Sequence, residues 1–372
     1  MDIEQVRNLL KETQATVDLY LSTGNDDARI DAQEKAEQLA RTLERPKDAV
    51  LKLAYSPTIL TAVKAAHDMN LFEVLANATS PVTLSELVAA KPADPLLVER
   101  ILRLVVANGF AKQTAPREYL PTSLSKEMTK QGPVATIESM FIEMLPALNK
   151  VPEYLQKTNY RNPDDPMATV IQHTYDVKTD GFTWLSQNPA AFARFNSFMG
   201  AQRAVDIGAG RGHDLMGFKT RFPHATGRLI LEDLSRVIEE VNGPELETFE
   251  IETVVHDFFA EAQPISGARV YYFKNVLHDW SDEQAAIIFK NLKPAMKRGF
   301  SKIIMEEYIL PDTNARSLPC MTDLSVMMFC AGLERTRQRW TELLESVGLQ
   351  VVKFWMREGD ELGVVEAALA EE

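Results

Sequence analysis

The sequence predicts an α/β protein: a Rossmann-like sheet domain in its second half, behind an all-helical and winged-helix first half. Three observations carry this. From about Arg203 onward, short β-rich runs alternate with helical patterns. That alternation marks βαβ units and a mostly parallel sheet. The first run passes into a glycine-rich turn, Val205-Asp-Ile-Gly-Ala-Gly-Arg-Gly-His213, which opens a helix. Ahead of both, residues 50–125 read as three helices followed by a small hairpin.

The elements follow in order. Residues 1–45 predict two helices, the first with an apolar stripe at Ile3, Val6, Leu10, Val17 and Leu21. Gly24-Asn-Asp-Asp breaks it and offers caps for the second helix, which is mostly polar and needs a partner surface. Residues 46–125 predict the winged-helix module. A helix from about Ser56 to His67 is followed by Thr83-Leu-Ser-Glu86, a capping box. Asp94-Pro95 opens a third helix, which Asn108-Gly109 ends. Two short strands then flank Ala115-Pro116. Residues 126–200 form a helical linker and substrate wall, and 201–372 the cofactor domain. Its strands are expected at 204–207, 228–231, 252–255, 269–273, 302–306, 351–355 and 364–368.

Composition narrows the function. The 372 residues carry a net charge of −13, and the third helix of the winged-helix module presents Glu99, Arg100 and Arg103 rather than a basic face. A phosphate backbone is bound mainly by Lys and Arg, so no nucleic-acid partner is expected and the module reads as a dimerisation or lid element. No apolar run reaches the roughly 18 residues of a membrane span. Cys320 and Cys330 make no disulfide framework, and the N-terminus has no secretory pattern. A cytoplasmic chain is expected. The six histidines form no HxH or HExxH pair, so no metal is expected.

The chemistry gathers at the strand ends, where ligands of such sheets bind. A dinucleotide fingerprint places its third glycine five residues after the first. Here Gly208, Gly210 and Gly212 put it four after, and His213 occupies the fifth position. This spacing disfavours NAD and fits the methyl-donor loop of S-adenosylmethionine (SAM) enzymes. Leu231-Glu-Asp-Leu follows, with Asp233, or alternatively Glu232, suited to two ribose hydroxyls. Asp257 and Phe258, in His256-Asp-Phe-Phe259, suit an adenine amino group and ring. His278 lies just past the fourth of the sheet strands and is a candidate general base. Glu307 and Glu334 can reach the same side and would orient the ring. Taken singly, each of these acids is more often a cap or a solvated charge.

Together the motifs VDIGAGRGH, LEDL, HDFF, KNVLHDWSDE, MEEYILP and GLERT resemble the SAM-dependent O-methyltransferases of the plant small-molecule type. The resemblance is to their fungal secondary-metabolite, sterigmatocystin methyltransferase-like branch, and it spans roughly residues 50–370. It implies methyl transfer to a phenolic or enolic hydroxyl of a small aromatic or polyketide substrate, and a homodimer. It makes His278 the base, with Glu307 and Glu334 flanking it. Asp206, Gly208, Gly210, Asp233, Asp257, Phe258, Lys274 and Trp280 become cofactor contacts. The expected substrate wall is Met140, Phe141, Met144, Phe182, Trp184, Phe195, Met199, Met327 and Met328, although such stripes are more often plain core. One departure stands out. Six residues, Gly200–Val205, stand before Asp206 where the family has a helix-length stretch more. A SAM-bound pericyclase or dehydratase, or an inactive partner of an active homologue, are the alternatives this shortening brings in.

Overall fold

In the computed structural model, the described residues are 3–199, 207, 208, 210, 212–224, 227–239, 241, 243–356 and 361–370. Among 196–199, 244 and 245 only the backbone is described. Asp206 and Gly200–Val205 lie outside these residues, as does most of the expected first strand. The chain forms two units. One comprises 1–146 and 185–202, the other 147–184 and 203–372.

The first unit opens with helices α1 (Ile3–Thr23) and α2 (Asp26–Leu43), which pack on each other. The polar α2 makes this possible by burying only Ala28 and Ala32, small enough for two helices to approach. Asn25 caps it by accepting the Asp27 N–H. Helix α3 (Pro46–Tyr55) precedes the expected α4 (Pro57–Asp68), and both start with proline. Val50, Leu53 and Tyr55 on α3 stay exposed. The winged-helix core joins α4, α5 (Leu71–Ala76), α6 (Leu84–Ala90) and α7 (Pro95–Ala107) around Phe72, Leu75, Leu87 and Leu102. Both expected caps are present at Thr83 and Asp94. The wing has three strands, β1 (Val82–Thr83), β2 (Lys112–Ala115) and β3 (Glu118–Leu120), in the order β1-β3-β2. Glu99 pairs with Arg103 at 2.8 Å and with Arg117 at 3.3 Å. One acid of this helix thus holds a cation of the same helix and one at the wing.

The second unit carries the sheet. Strands β4 (Leu229–Asp233) and β5 (Ile251–Val255) pair in parallel. Strands β6 (Val270–Lys274) and β7 (Lys302–Leu310) also pair in parallel, and short β8 (Arg335–Thr336) joins the end of β7. Ile207 bridges to Glu232 and donates its N–H to Tyr272 O at 2.7 Å. It therefore links the β4 side to the β6 side. Strands β9 (Leu349–Met356) and β10 (Leu362–Leu369) close the sheet antiparallel, with β10 between β7 and β9. Helices 282–292 and 337–346 pack the core through Ile288, Phe289, Trp340 and Leu344. No helix among the described residues is long and apolar enough to cross a membrane.

Candidate active site

The glycine turn is built from close approach. Gly208 has φ 78°, and a Cβ there would meet Val276 Cγ2 at 2.9 Å. Only glycine suits both its backbone and its neighbour. At Gly210 a Cβ would meet nothing within 4 Å among the described residues. Asp233, the last residue of β4, turns its carboxylate onto this loop. Its Oδ2 accepts the Gly210 N–H at 2.9 Å and its Oδ1 the Leu234 N–H at 2.7 Å. Burial raises this carboxyl despite those two donors.

Glu232, the alternative to Asp233, points elsewhere. It is buried, with Oε1 2.5 Å from His256 Nδ1 and 3.0 Å from Gln263 Nε2. The reason is the period of two along a strand: adjacent side chains leave on opposite faces. No local pattern marks this His256 partnership, since the two residues are far apart in the chain.

Asp257 Oδ1 accepts the Phe259 N–H at 2.9 Å, a tight turn at the end of β5. The turn presents an aromatic group. Trp280 lies edge-on to Phe258 at 6.1 Å and to Phe259 at 4.6 Å, and 6.2 Å from Phe182. Phe182 in turn meets Phe329 edge-on at 5.0 Å. Phe182, Phe258 and Trp280, expected separately as substrate and cofactor contacts, are therefore one cluster. Lys274 lies between two acids, 3.6 Å from Glu306 and 3.9 Å from Asp214. A glycine turn, an acid at the ends of two successive strands and flat aromatic surfaces fit an adenosyl group.

The other expected substrate contacts divide between the units. In the second unit Trp184 is buried and stacks on Tyr175 at 4.6 Å. Met328 is fully buried and Met327 half-buried on the helix Ser317–Cys330. In the first unit Met140, Phe141 and Met144 belong to a single π-helical turn, Met140–Met144, and are half-buried. Such turns are rare and concentrate at functional sites. Its buried Glu143 pairs with Arg194 of the helix Pro189–Met199. Phe195 follows on that helix and is half-buried, while the Met199 side chain lies outside the described part.

His278 sits in a one-turn 3₁₀ helix, Leu277–Asp279, between β6 and the helix that Ser281 caps. Its Nδ1 is 2.8 Å from Glu334 Oε1 and 4.0 Å from Glu307 Oε2. Its Nε2 lies 3.5 Å from Asp279 Oδ1. The expected strand ended at Glu306, but β7 runs on to Leu310, so Glu307 is inside it. There it faces inward with Ile303, Met305 and Ile309 and is fully buried. Its Oε1 accepts the Val276 and Leu277 N–H groups at 3.1 and 2.9 Å. Glu334 precedes β8, and its N–H donates to Asp323 Oδ1 at 2.8 Å. The second oxygens of Glu307 and Glu334 are buried without a hydrogen-bond partner.

The electrostatics follow from this crowding. Burial opposes a charged imidazole. Asp279, the Glu334 hydrogen bond and Glu307 together outweigh it and raise His278 to about 10. Burial raises Glu307 to about 7, and Asp279 to about 6, against the pull of His278. Such groups titrate as a set. His278, Glu307 and Glu334 also stand close enough to hold a cation. Nδ1 and Glu307 Oε1 are already committed to protein partners, so acid–base work is the simpler reading. Asp279 was missed at the sequence level because an acid beside a helix start reads as a cap. Beneath it Cys330 Sγ donates to its Oδ1 at 3.5 Å.

A glycine turn faced by a strand-end acid, beside a His–carboxylate set on such a sheet, suits a small-molecule methyltransferase. The comparisons agree. Residues 183–350 match the O-methyltransferase domain and residues 51–131 the O-methyltransferase dimerisation domain. The chain is similar to O-methyltransferase asqD of Emericella nidulans, 34% identical over 84% of this chain and 87% of that one. It is also similar to demethylsterigmatocystin 6-O-methyltransferase of Aspergillus flavus, 29% identical over 86% of this chain and 88% of that one. Among solved structures it resembles LepI in complex with SAM, with TM-score 0.87 and 25% identity over 100% of both chains. The chain belongs to the O-methyltransferase family.

Proposed function

We propose that this chain transfers a methyl group from SAM to a phenolic or enolic hydroxyl of a small aromatic or polyketide metabolite, with His278 as general base. The observation that carries this is the His278 ring held through Nδ1 at 2.8 Å from Glu334, with Glu307 behind it and Nε2 on the other side. SAM, when bound, supplies a methyl group already activated by its sulfonium. The chain's own residues do the rest. Nε2 accepts the hydroxyl proton, and Glu334 and Glu307 stabilise the resulting imidazolium. Asp233 and Asp257 would hold the ribose and adenine, with Gly208 and Gly210 as further cofactor contacts and Asp206, outside the described residues, another. Lys274 and Trp280 complete these contacts. Phe182, packed on Trp280, heads the substrate-contact set of the second unit, together with Trp184, Met327 and Met328. The family match over residues 51–131 supports a homodimer.

A test is incubation with isotopically labelled SAM and a panel of phenolic polyketides, read by mass spectrometry. Labelled O-methyl product with one equivalent of S-adenosylhomocysteine is expected. A product of unchanged mass that still requires SAM would instead select a pericyclic role, and one that has lost water a dehydrative role. Absence of SAM binding would select a non-catalytic one.

Two further outcomes are expected. Asp233→Ala removes an anionic acceptor for two hydroxyls, so SAM affinity should fall by about 10–100-fold, a loss of about 1.5–3 kcal/mol. Calorimetry checks this, and unchanged affinity would remove Asp233 from the cofactor site. The second concerns pH. His278 raised to about 10 is an imidazolium near neutrality. The basic form becomes populated only as pH climbs towards that value, so kcat/KM should keep rising well above pH 7. A profile that levels at the ordinary histidine value, near 6.5, would contradict the charge arrangement around the ring.

A further inference from the structure

Arg335 sits directly behind the His278 turn and is fully buried. Its Nη1 donates to Leu277 O at 2.7 Å, its Nη2 to Trp280 O at 2.6 Å, and its Nε to Asp282 Oδ1 at 2.8 Å. Those two carbonyls flank His278 and Asp279, one on each side. The guanidinium also lies 5.0 Å from the Trp340 ring centroid. Asp282 is held from its other oxygen by Arg339 Nε at 2.8 Å. Between the two clamped carbonyls, His278 O accepts the Leu333 N–H at 2.8 Å. Three carbonyls along one short turn are therefore fixed by the segment that also carries Glu334.

Burying a cation is costly, and a well-packed apolar residue often serves stability as well or better. What the guanidinium adds is direction. Its planar fork holds several donors at fixed angles, which an ammonium does not. Arg335 also immediately follows Glu334, so one stretch of chain sets both the base's backbone and its carboxylate partner. We infer that Arg335 is a positioning residue: it fixes the 277–282 backbone so that His278 Nδ1 stays on Glu334. This rests on the reading of His278 as the base. The groups facing the ring are Asp279 from its own turn, Glu307 from β7 and Glu334 from the segment before β8. Arg335 adds positive charge behind the turn.

Charge and position predict opposite shifts, which makes the inference testable. Deleting a nearby cation alone would raise the His278 pKa. Releasing the turn would move the ring away from Glu334 and lower it towards the ordinary value. The experiment compares full-length wild type, Arg335→Lys, Arg335→Met and the surface control Arg228→Ala, whose side chain is exposed and pairs with the exposed Glu252. The ring titration is read by NMR with labelled histidine, assigned with His278→Gln, beside SAM affinity, kcat and KM. For both Arg335 variants the His278 pKa should fall. Their kcat should drop by about 100-fold, the scale of a 1 Å misplacement, with SAM affinity within about twofold of wild type. Arg228→Ala should match wild type.

A raised or unchanged His278 pKa, or a lowered melting temperature with unaltered kcat, would overturn the inference. Should Arg335→Met fail to fold, Arg335→Lys and Asp282→Asn decide it by the same readouts. If wild type transfers no methyl group yet the ring titration still falls, the positioning role stands and the methyl-transfer reading fails.

Discussion

His278→Ala is expected to lower methyl transfer by about 10²–10⁴-fold, the usual contribution of a positioned general base. SAM affinity should change little, because the glycine turn, Asp233 and Asp257 belong to other strand ends. The size of the effect follows from the site's chemistry. Near neutrality a phenol holds its proton, with a pKa near 10 like that of tyrosine. The neutral ring, populated as pH climbs towards about 10, is a matched acceptor for that proton, whereas water is a far weaker one. Removing the ring also takes the imidazole from beside the buried carboxylates of Glu307 and Glu334. Glu307 is already raised to about 7 by burial. Neither carboxylate sits where Nε2 was. Steady-state rates with labelled SAM check this, together with calorimetric SAM binding. Transfer within tenfold of wild type would remove His278 from the role of base.

Gly332→Ala should damage both stability and rate. A Cβ at this position would meet His278 O at 2.1 Å, and Asp279 Cα and C at 2.9 Å. These are backbone atoms, so no side chain can swing aside. Either the 277–279 turn shifts or the segment leading to Glu334 does. Overpacking of this kind typically costs about 1–3 kcal/mol. The shift falls on the same turn that carries His278, so kcat should drop by about 100-fold if the ring moves about 1 Å. Urea unfolding and steady-state kinetics together test this. Wild-type stability with wild-type kcat would mean that the turn yields without cost and that its packing does not place the ring.

Much of the architecture could be read from the chain because its signals are local. Thr83 with Glu86, and Asp94 with Pro95, mark helix starts within a few residues. The β-rich runs announce six strands within a few residues of where they lie. The strand-end motifs can be read together because a parallel sheet brings all such ends to one edge. What stayed hidden depends on distant pairing. Nothing local says that Glu232 meets His256, or that Arg335 spans from one carbonyl before His278 to another after it. Asp279 was hidden differently, by the more ordinary role its position suggests. Glu307 is instructive in the other direction. Ile303, Met305 and Ile309 alternate with it, so period two alone puts a carboxylate at a core position, a sign of function legible in the residue pattern itself.

The strand order has a bearing on how the enzyme is made. Glu307 lies on β7, and its neighbour across one edge is Gly363 of β10, far along the chain. On a ribosome, β7 emerges with that edge bare and an acid among its inward residues. It gains its flanking strand only when the final hairpin, β9 with β10, has been synthesised. Pairings of such long sequence separation form late and slowly. The β4–β5 pair joins segments close in sequence and can therefore take shape early on the nascent chain, whereas the flank of Glu307 must wait for β10.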